Sequence, residues 1–378
     1  MSTIVEKKLK IILEPESPIH VWGGDEIIIG VDSFIQGNNI YIPDLDKTLD
    51  RLDLRELDIV IKYLEEKKLD QLYDHIKHKL VIKKILKNYT GASLSGGSRI
   101  RLLPEEVIPG SSLKGYLRTA ILYNVLKSMN TNVAINLINK NVQLTGDPRY
   151  RAIQLERILF ERDRPPKAGG FYDVFSVLMI SDPIGRNLYQ DSLVVRKLEI
   201  IEKPSLSLIG SINAEFFEKG SLEYELSITK PPERQYVEIP EDLKEIFNEI
   251  YDLISRFRDF TSRDLLSLLR DFGCELIDAE LEKIRGIQEF DRYRVFLEDL
   301  KRKYCGSSEC APARIGFGAG HESKTIAIFL RKYYPNFYDN LKSYMKQNIG
   351  RIWDSLTIKA VKIDGEYRGV GWCRLCVK

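Results

Sequence analysis

The sequence carries almost no net charge. Its 378 residues include 57 basic and 55 acidic side chains, which leaves a formal charge of +2. The chain is therefore not drawn to nucleic acid by its overall charge, and any such attraction must come from local basic segments. With 43% hydrophobic and 30% charged residues, it is long enough for two domains with real cores and does not have a disordered composition.

Long apolar runs are also missing. No uninterrupted run approaches the roughly 20 apolar residues that a membrane-spanning helix needs. A mixed, charged segment follows Met1 in place of a signal peptide. We therefore expect a cytoplasmic protein with no membrane partner.

Histidines and paired acids are scarce. The four histidines are His20, His75, His78 and His321. Candidate acids such as Asp32, Asp44 and Asp182 are scattered, without the paired spacing that a two-metal site needs. A two-metal catalytic site is therefore disfavoured, whereas catalysis with a histidine as general base stays open as an alternative.

Basic residues are concentrated in two segments. Residues 77–101 contain seven Lys or Arg residues and no acid, and they end in a glycine- and serine-rich loop. Residues 301–332 contain seven Lys or Arg residues against Glu309 and Glu322. Charge runs are usually solvated faces, but two such runs that each contain a glycine-rich loop favour a phosphate-rich ligand.

The stretch IPGSSLKGYLRTAI, residues 108–121, predicts a helix that begins near Ser112. Pro109 and Gly110 mark a turn, and a serine can cap the backbone N–H groups that follow. Lys114 and Arg118 are one turn apart near the positive end of the helix dipole. Such an end suits a phosphate, although a capped amphipathic helix with two solvated basic residues is the alternative.

A second glycine loop, RIGFGAGHESKT, covers residues 314–325. Its glycines allow a close backbone approach to a ligand, and Ser323 can cap a following helix that carries Lys324. The P-loop motif G-x-x-x-x-G-K-[ST] fails here, because serine and not glycine precedes Lys324. A nucleotide-dependent enzyme is therefore disfavoured.

Alternating and helical patterns together predict an α+β fold. Strands are expected at 7–13, 27–31, 39–42, 174–180, 193–201, 207–216, 222–228 and the C-terminus. Helices are expected at 51–88, 112–127, 242–271, 280–304, 323–333 and 337–348, with a loop at 162–172.

Four of the five cysteines form two close pairs, Cys305 with Cys310 and Cys373 with Cys376. Together they could supply four thiolates to a structural zinc ion. Disulfides are the rival interpretation, suited to the cytosol of a hyperthermophile, and free thiols are the third. Cys274 is left over.

Three segments carry a family resemblance: SPIHVWGG at 17–24, IPGSSLKGYLRTAI and RIGFGAGHESKT. In order and spacing they resemble the RAMP superfamily of CRISPR proteins, and most closely the large RAMP subunit that caps the type III-A Csm complex. The similarity extends from about residue 7 to the C-terminal GWCRL. It implies two ferredoxin-like, RRM-related domains with helical insertions, which we place at 1–203 and 204–378.

The resemblance implies a non-catalytic subunit that caps the 3′ end of crRNA in an antiviral ribonucleoprotein and contributes to crRNA maturation. Partners would be crRNA and other Csm RAMP subunits, with target RNA and a trimming nuclease as further candidates. No cofactor is required, apart from the zinc considered above. The alternative function is a RAMP endoribonuclease that processes or trims crRNA with His20 or His321.

Guide sequences differ while their backbone is shared, so the grip should be on phosphates. The RNA-binding residues expected are Gly110, Ser111, Ser112, Lys114, Arg118, Arg314, Gly316, Gly318, Gly320, His321, Ser323 and Lys324. A second set of candidates comprises His20, Phe317, Lys83, Lys84, Lys87 and Arg99. Phe317 could stack on a base or anchor its loop to the core.

Overall fold

The computed structural model describes residues 5–66, 69–91, 94–105, 107–129, 135, 161–163, 171–183, 192–203, 205–229, 261–349 and 357–378. Within these ranges, the strands are β1 Val5–Pro15, β2 Glu26–Ile28, β3 Phe34–Gln36, β4 Asn39–Pro43, β5 Ile82–Asn88, β6 Arg99–Arg101, β7 Glu161–Asp163, β8 Phe171–Asp173, β9 Leu178–Ile180, β10 Leu193–Glu202, β11 Leu208–Phe217, β12 Leu222–Thr229, β13 Cys310–Arg314, β14 Thr357–Ile363, β15 Glu366–Gly369 and β16 Trp372–Val377. The helices are α1 Leu45–Leu49, α2 Leu54–Glu65, α3 Leu69–Ile76, α4 Gly110–Ser128, α5 Ser262–Lys283, α6 Asp291–Tyr304, α7 Ala327–Tyr333 and α8 Pro335–Ile349.

Five strands form the first sheet, in the order β13-β16-β1-β12-β9. Each strand in this order runs antiparallel to its neighbours. Alternate residues of β1, such as Ile11 and Leu13, are fully buried against the main core. Helices α4 and α5 belong to the same core. The ring centroid of Phe272 in α5 lies 5.5 Å from that of Tyr116 and 5.4 Å from that of Tyr123, both in α4.

The second sheet has nine strands among the described residues. Seven of them follow the order β2-β6-β11-β10-β5-β4-β3, and β14 and β15 extend the sheet beside the second half of β10. One of its faces contributes to the main core. The other is partly covered by a smaller cluster that includes Leu198, Phe216 and Val370, against which Phe317 packs.

A helical insertion follows β4. Helices α1 to α3 lie between β4 and β5, and Leu52, Val60, Leu72 and Ile76 form a small core of their own. The insertion is also tied to the second sheet, because the Tyr73 hydroxyl donates a 2.5 Å hydrogen bond to the Val31 carbonyl. In the part of the chain that the structure describes, no helix is long and apolar enough to span a membrane.

The predicted α+β class is confirmed, as are strands at β1, β10, β11 and β12. The helix predicted over 51–88 is wrong in its last part, because residues 82–88 form β5. The predicted strand at 174–180 begins with a 3₁₀ turn at Val174–Val177. Much of the helix predicted over 242–271 and of the loop at 162–172 lies outside the described residues.

Both sheets combine strands from before and after residue 203. The first sheet pairs β1 with β12 and β16, and the second pairs β10 with β5 and β14. The boundary predicted near residue 203 therefore does not separate the two sheets.

Candidate nucleic-acid interface

The start of α4 is held by an internal carboxylate. The helix begins at Gly110 with Pro109 as N-cap and no side-chain cap, so the predicted serine cap is wrong. The Gly110 N–H donates a 2.9 Å hydrogen bond to Asp182 Oδ1. A Cβ on Gly110 would overlap the Ser181 carbonyl oxygen, so glycine here allows α4 to approach the segment after β9. An acid thus takes the position that we predicted for a phosphate, and we drop Gly110 from the RNA-binding set.

The exposed side of α4 keeps the other predicted residues together. Ser111 is exposed, while Ser112, Lys114 and Arg118 are partly exposed. The guanidinium of Arg118 lies 5.0 Å from the centroid of the buried Phe175 ring, which limits its freedom to move. These four residues remain candidates for backbone contacts.

The second glycine loop packs onto the N-terminal motif. Gly316 has φ +98°, and a Cβ there would overlap the His20 carbonyl oxygen. That same carbonyl accepts a 2.6 Å hydrogen bond from the Phe317 N–H. Gly318 lies against the Val370 side chain. These two glycines therefore serve a close approach of the chain to itself, and Gly320 shares their left-handed conformation at φ +90°.

Arg314 is a structural residue in this loop. It is only 5% exposed, and its Nη1 lies 2.9 Å from Glu280 Oε2. Its Nε donates to the Val370 carbonyl oxygen at 3.1 Å. Burial alone raises the pKa of Glu280, but the charges of Arg314 and Lys283 overcome this effect and lower it to about 2. Arg314 thus lies in a buried ion pair, and we leave it out of the proposed RNA-binding residues.

The rest of this loop is also largely internal. The Ser323 hydroxyl donates to the Gly320 carbonyl oxygen at 3.1 Å, and α7 begins only at Ala327, so the predicted serine cap is wrong here too. Burial lowers the pKa of His321 to about 4, which keeps its ring neutral. Lys324 is exposed, so its side chain can reach a ligand.

His20 and Phe317 anchor the two motifs to each other. His20 is fully buried, and its Nδ1 lies 2.7 Å from the Glu215 carbonyl oxygen. Burial lowers the pKa of His20 to about 4. Its ring centroid lies 5.6 Å from that of Phe216 and 6.0 Å from that of Phe317. The structure thus favours the anchoring interpretation of Phe317.

The segment without acids, residues 77–101, contributes one exposed side of β5. Lys83 and Lys87 are exposed together with Ile85. Lys84 points to the other side and lies 2.5 Å from the fully buried Glu215 carboxylate, which also accepts a 3.0 Å hydrogen bond from the Leu103 N–H. Lys84 thus pairs with a buried acid, and we leave it out of the proposed RNA-binding residues.

Strand register places four basic residues on one face of the second sheet. Arg101 of β6 pairs with Ala214 of β11, and Ala214 pairs with Arg196 of β10. On the other side of β10, Val194 pairs with Lys87 of β5. Val194 and Arg196 are two residues apart on one strand, so all these residues share a face. Arg99 is two residues before Arg101 on β6, so it shares the face. We call Lys87, Arg99, Arg101 and Arg196 the basic face. Glu26 lies 2.9 Å from Arg99 and 4.0 Å from Arg101, so these two arginines share one carboxylate.

A large cleft opens beside the basic face. It has a volume of about 1320 Å³ and lies where β5 and the β14–β15 hairpin diverge from β10. Most of its basic residues were not predicted from the sequence, because three separate segments bring them together. They are Lys87, Arg196, Lys197, Lys219, Lys362 and Arg368. Acids also line the cleft, and one of them, Glu218, is bound by Arg196, whose guanidinium lies 5.3 Å from the Tyr89 ring centroid.

Trp22 and Arg101 were also not among the predicted residues. Trp22 is 48% exposed, and the Arg101 guanidinium lies 4.4 Å from its ring centroid. The sequence signal that could have identified Trp22 is an aromatic residue directly before Gly23 and Gly24 in the first motif.

The cysteines do not form the predicted four-thiolate set. Cys310 and Cys376 are joined by a disulfide, and Cys305 is joined to Cys274. Cys373 is buried as a free thiol. Cys373 and Cys376 are three residues apart on β16, so they point to opposite faces of the strand. Within the described part of the chain, no group of three or more His, Cys, Asp or Glu side chains is arranged so that it could hold a metal ion.

Among curated proteins, one relative is similar to this chain along nearly its whole length. The CRISPR system Cms protein Csm5 of Methanocaldococcus jannaschii is 24% identical over 391 residues, which cover 95% of this chain and 86% of the relative. No protein-family model matches the chain.

Two solved structures share the fold. A chain of a Csm-crRNA-target RNA ternary complex of a type III-A CRISPR-Cas system matches with a TM-score of 0.65 and 20% identity, over 98% of this chain and 100% of that one. Csm5 of T. onnurineus matches with a TM-score of 0.58 and 20% identity, over 96% of this chain and 99% of that one. The chain therefore has the fold of Csm5, and the predicted resemblance to the RAMP subunits of the type III-A Csm complex is confirmed.

Proposed function

We propose that this chain is a Csm5-type subunit of a cytoplasmic type III-A effector complex, in which it binds the 3′ end of crRNA without cutting it. The observation that carries the proposal is the basic face beside an open cleft, on a chain that resembles Csm5 along 95% of its length. By the same likeness, crRNA, neighbouring Csm subunits and target RNA are its partners. A trimming nuclease is a further partner in crRNA maturation.

The first sheet supports a ferredoxin-like RAMP domain. That fold orders four antiparallel strands 4-1-3-2 and connects strand 1 to 2, and 3 to 4, through helices. Here β16-β1-β12-β9 has this order with all neighbours antiparallel, and β13 is added at the edge. Helix α4 lies between β1 and β9 in the chain, and α5 lies between β12 and β16. We propose that the second sheet belongs to the other RAMP domain.

The chemistry of the basic face suits an RNA backbone. Its cations come from different strands and stand beside the exposed Tyr89 and Trp22. Such a surface attracts phosphates and offers flat rings to bases, but it reads no fixed sequence. A subunit that accepts every guide needs this kind of contact. The proposed RNA-binding set is therefore Ser111, Ser112, Lys114, Arg118, Lys324, Lys83, Lys87 and Arg99, together with Arg101 and Trp22.

Two observations support a non-catalytic role over the endoribonuclease alternative. His20 is fully buried, and the ring nitrogens of His321 are buried as well. A general base must reach the proton that it abstracts, whereas the ring nitrogens of both histidines are buried. We infer that these histidines hold the two motifs in place.

We expect the variant Lys83→Ala/Lys87→Ala to bind crRNA more weakly and with a smaller salt dependence. Each phosphate contact on single-stranded RNA contributes roughly 0.7 to the slope of log K against log salt, so the loss of two contacts lowers the slope by about 1.4. The measurement is a titration of labelled crRNA over a salt series, with gel analysis of the bound RNA.

The matched control is Lys8→Ala/Lys10→Ala, which removes the same charge from β1 of the first sheet, where these lysines face Glu225 and Glu223. This control should bind like the wild type. An equal loss in both variants would show that only net charge matters, and RNA cleaved by the wild type would refute the non-catalytic role.

A further inference from the structure

Arg101 lies between two aromatic rings at the edge of the basic face. Its guanidinium is 4.4 Å from the Trp22 ring centroid and 5.5 Å from that of Phe317. Phe317 is in turn fixed by the His20 ring and by its backbone hydrogen bond to His20. Trp22, Arg101 and Phe317 thus follow one another, with a partly buried end fixed at Phe317 and an open end at Trp22.

Trp22 forms the open end. About half of its surface is exposed, whereas Trp372 is fully buried. A large aromatic ring gains stability by burial, so a ring that is held in place yet left half exposed has surface available for a ligand. Next to it, Gly24 has no heavy atom within 4 Å of where a side chain would begin, so the approach to this part of the loop is open.

The surroundings point to a nucleobase as the occupant. The Trp22 ring lies against the Arg101 cation, and Arg99, two residues earlier on β6, has a side chain that is 69% exposed, so phosphates can be bound near the ring. An apolar protein surface would have to bury these charges, whereas a nucleotide satisfies both the ring and the cation. Charge complementarity therefore favours single-stranded RNA.

We propose that Trp22 is a stacking platform for one unpaired base of the bound RNA, with Arg101 and Phe317 supporting it from below. This inference rests on the proposed RNA-binding function and adds a base contact to it. Because any base has a flat face, the platform fixes the position of a nucleotide without selecting its identity.

The test combines Trp22→Ala and Trp22→Phe with crRNAs that carry one abasic nucleotide, moved stepwise from the 3′ end. We expect Trp22→Ala to weaken binding roughly ten-fold or more and Trp22→Phe to lose much less. In the wild type, one abasic position should give a similar loss, and in Trp22→Ala the same abasic position should give no further loss. Thermal unfolding of both variants checks that the fold is kept, and Leu54→Ala, at an 82% exposed residue of α2, is the control substitution.

If Trp22→Ala binds crRNA as tightly as the wild type, the platform is refuted while the proposed function stands. The platform is likewise refuted if, at every abasic position, the loss of crRNA affinity adds to the loss caused by Trp22→Ala. It is also refuted if Trp22→Ala keeps its crRNA affinity and loses only its association with a neighbouring subunit. If the wild type itself fails to bind crRNA, the proposed function is refuted together with the platform.

Discussion

Replacing Glu280 by glutamine is expected to lower the free energy of unfolding by about 3–5 kcal/mol. Glu280 is 1% exposed and bound to Arg314, which is 5% exposed. Glutamine keeps the shape but removes the charge, so the arginine is left buried without its counter-ion. The Tyr293 hydroxyl also donates to Glu280 at 3.2 Å and accepts a 2.8 Å hydrogen bond from Trp372 Nε1, so the change disturbs a connected network.

Chemical denaturation of the purified variant measures this effect. The double variant Glu280→Met/Arg314→Met should lose much less stability, because it leaves no unpaired charge in the core. Arg292→Ala, which breaks an exposed ion pair with Glu366, is the control and should change little. A double variant as unstable as Glu280→Gln would show that the ion pair is not the cause.

The second large effect concerns the disulfide between Cys310 and Cys376. These residues lie directly opposite each other on β13 and β16, with their Cα atoms 4.2 Å apart. The bond joins two residues that are 66 positions apart in the sequence. By the chain-entropy relation, its removal should cost about 4 kcal/mol of stability.

The variant Cys310→Ala/Cys376→Ala should therefore unfold at a lower denaturant concentration than the oxidised wild type. Reductant should lower the stability of the wild type further than that of the variant, which keeps only the Cys274–Cys305 bond. Thiol titration of the unfolded, unreduced wild type should find one free thiol, that of Cys373. Five free thiols, or stability unaffected by reductant, would refute both disulfides.

The sequence predicted local patterns well where one face of an element is buried. The strands β10, β11 and β12 were predicted from alternation, and all three are present nearly as expected. Strand β5 was missed because KKILK is equally compatible with a helix. Its conformation is fixed by pairing with β4 and β10, and the second of these lies more than a hundred residues later in the chain.

The sequence predicted which segments contribute to the candidate site, but it did not predict which residues of these segments contact one another. The first and last motifs do meet, since His20 packs on Phe317, and the Ser17 hydroxyl accepts a hydrogen bond from the Trp372 N–H near the C-terminus. The roles of single residues depended on partners far away in the chain. Asp182 binds the Gly110 N–H at the start of α4, and Glu280 binds Arg314. The sequence around Asp182 and Glu280 contains no signal that would reveal either contact.

The cysteines show the same limit. Close spacing suggested that Cys373 and Cys376 act together, but alternation along β16 separates them. Cys274, which had no partner in the sequence pattern, is paired with Cys305 by the packing of α5 against α6.

We propose that this chain holds the 3′ end of crRNA without cutting it. The most direct measurement uses crRNAs with one photoreactive nucleotide near either the 5′ or the 3′ end, bound to the intact protein within the reconstituted Csm complex. We expect a crosslink from the 3′ position alone, at peptides of the basic face or the exposed side of α4, with the RNA intact. Crosslinks from the 5′ position only, equal crosslinks from both positions, or shortened RNA would contradict the claim.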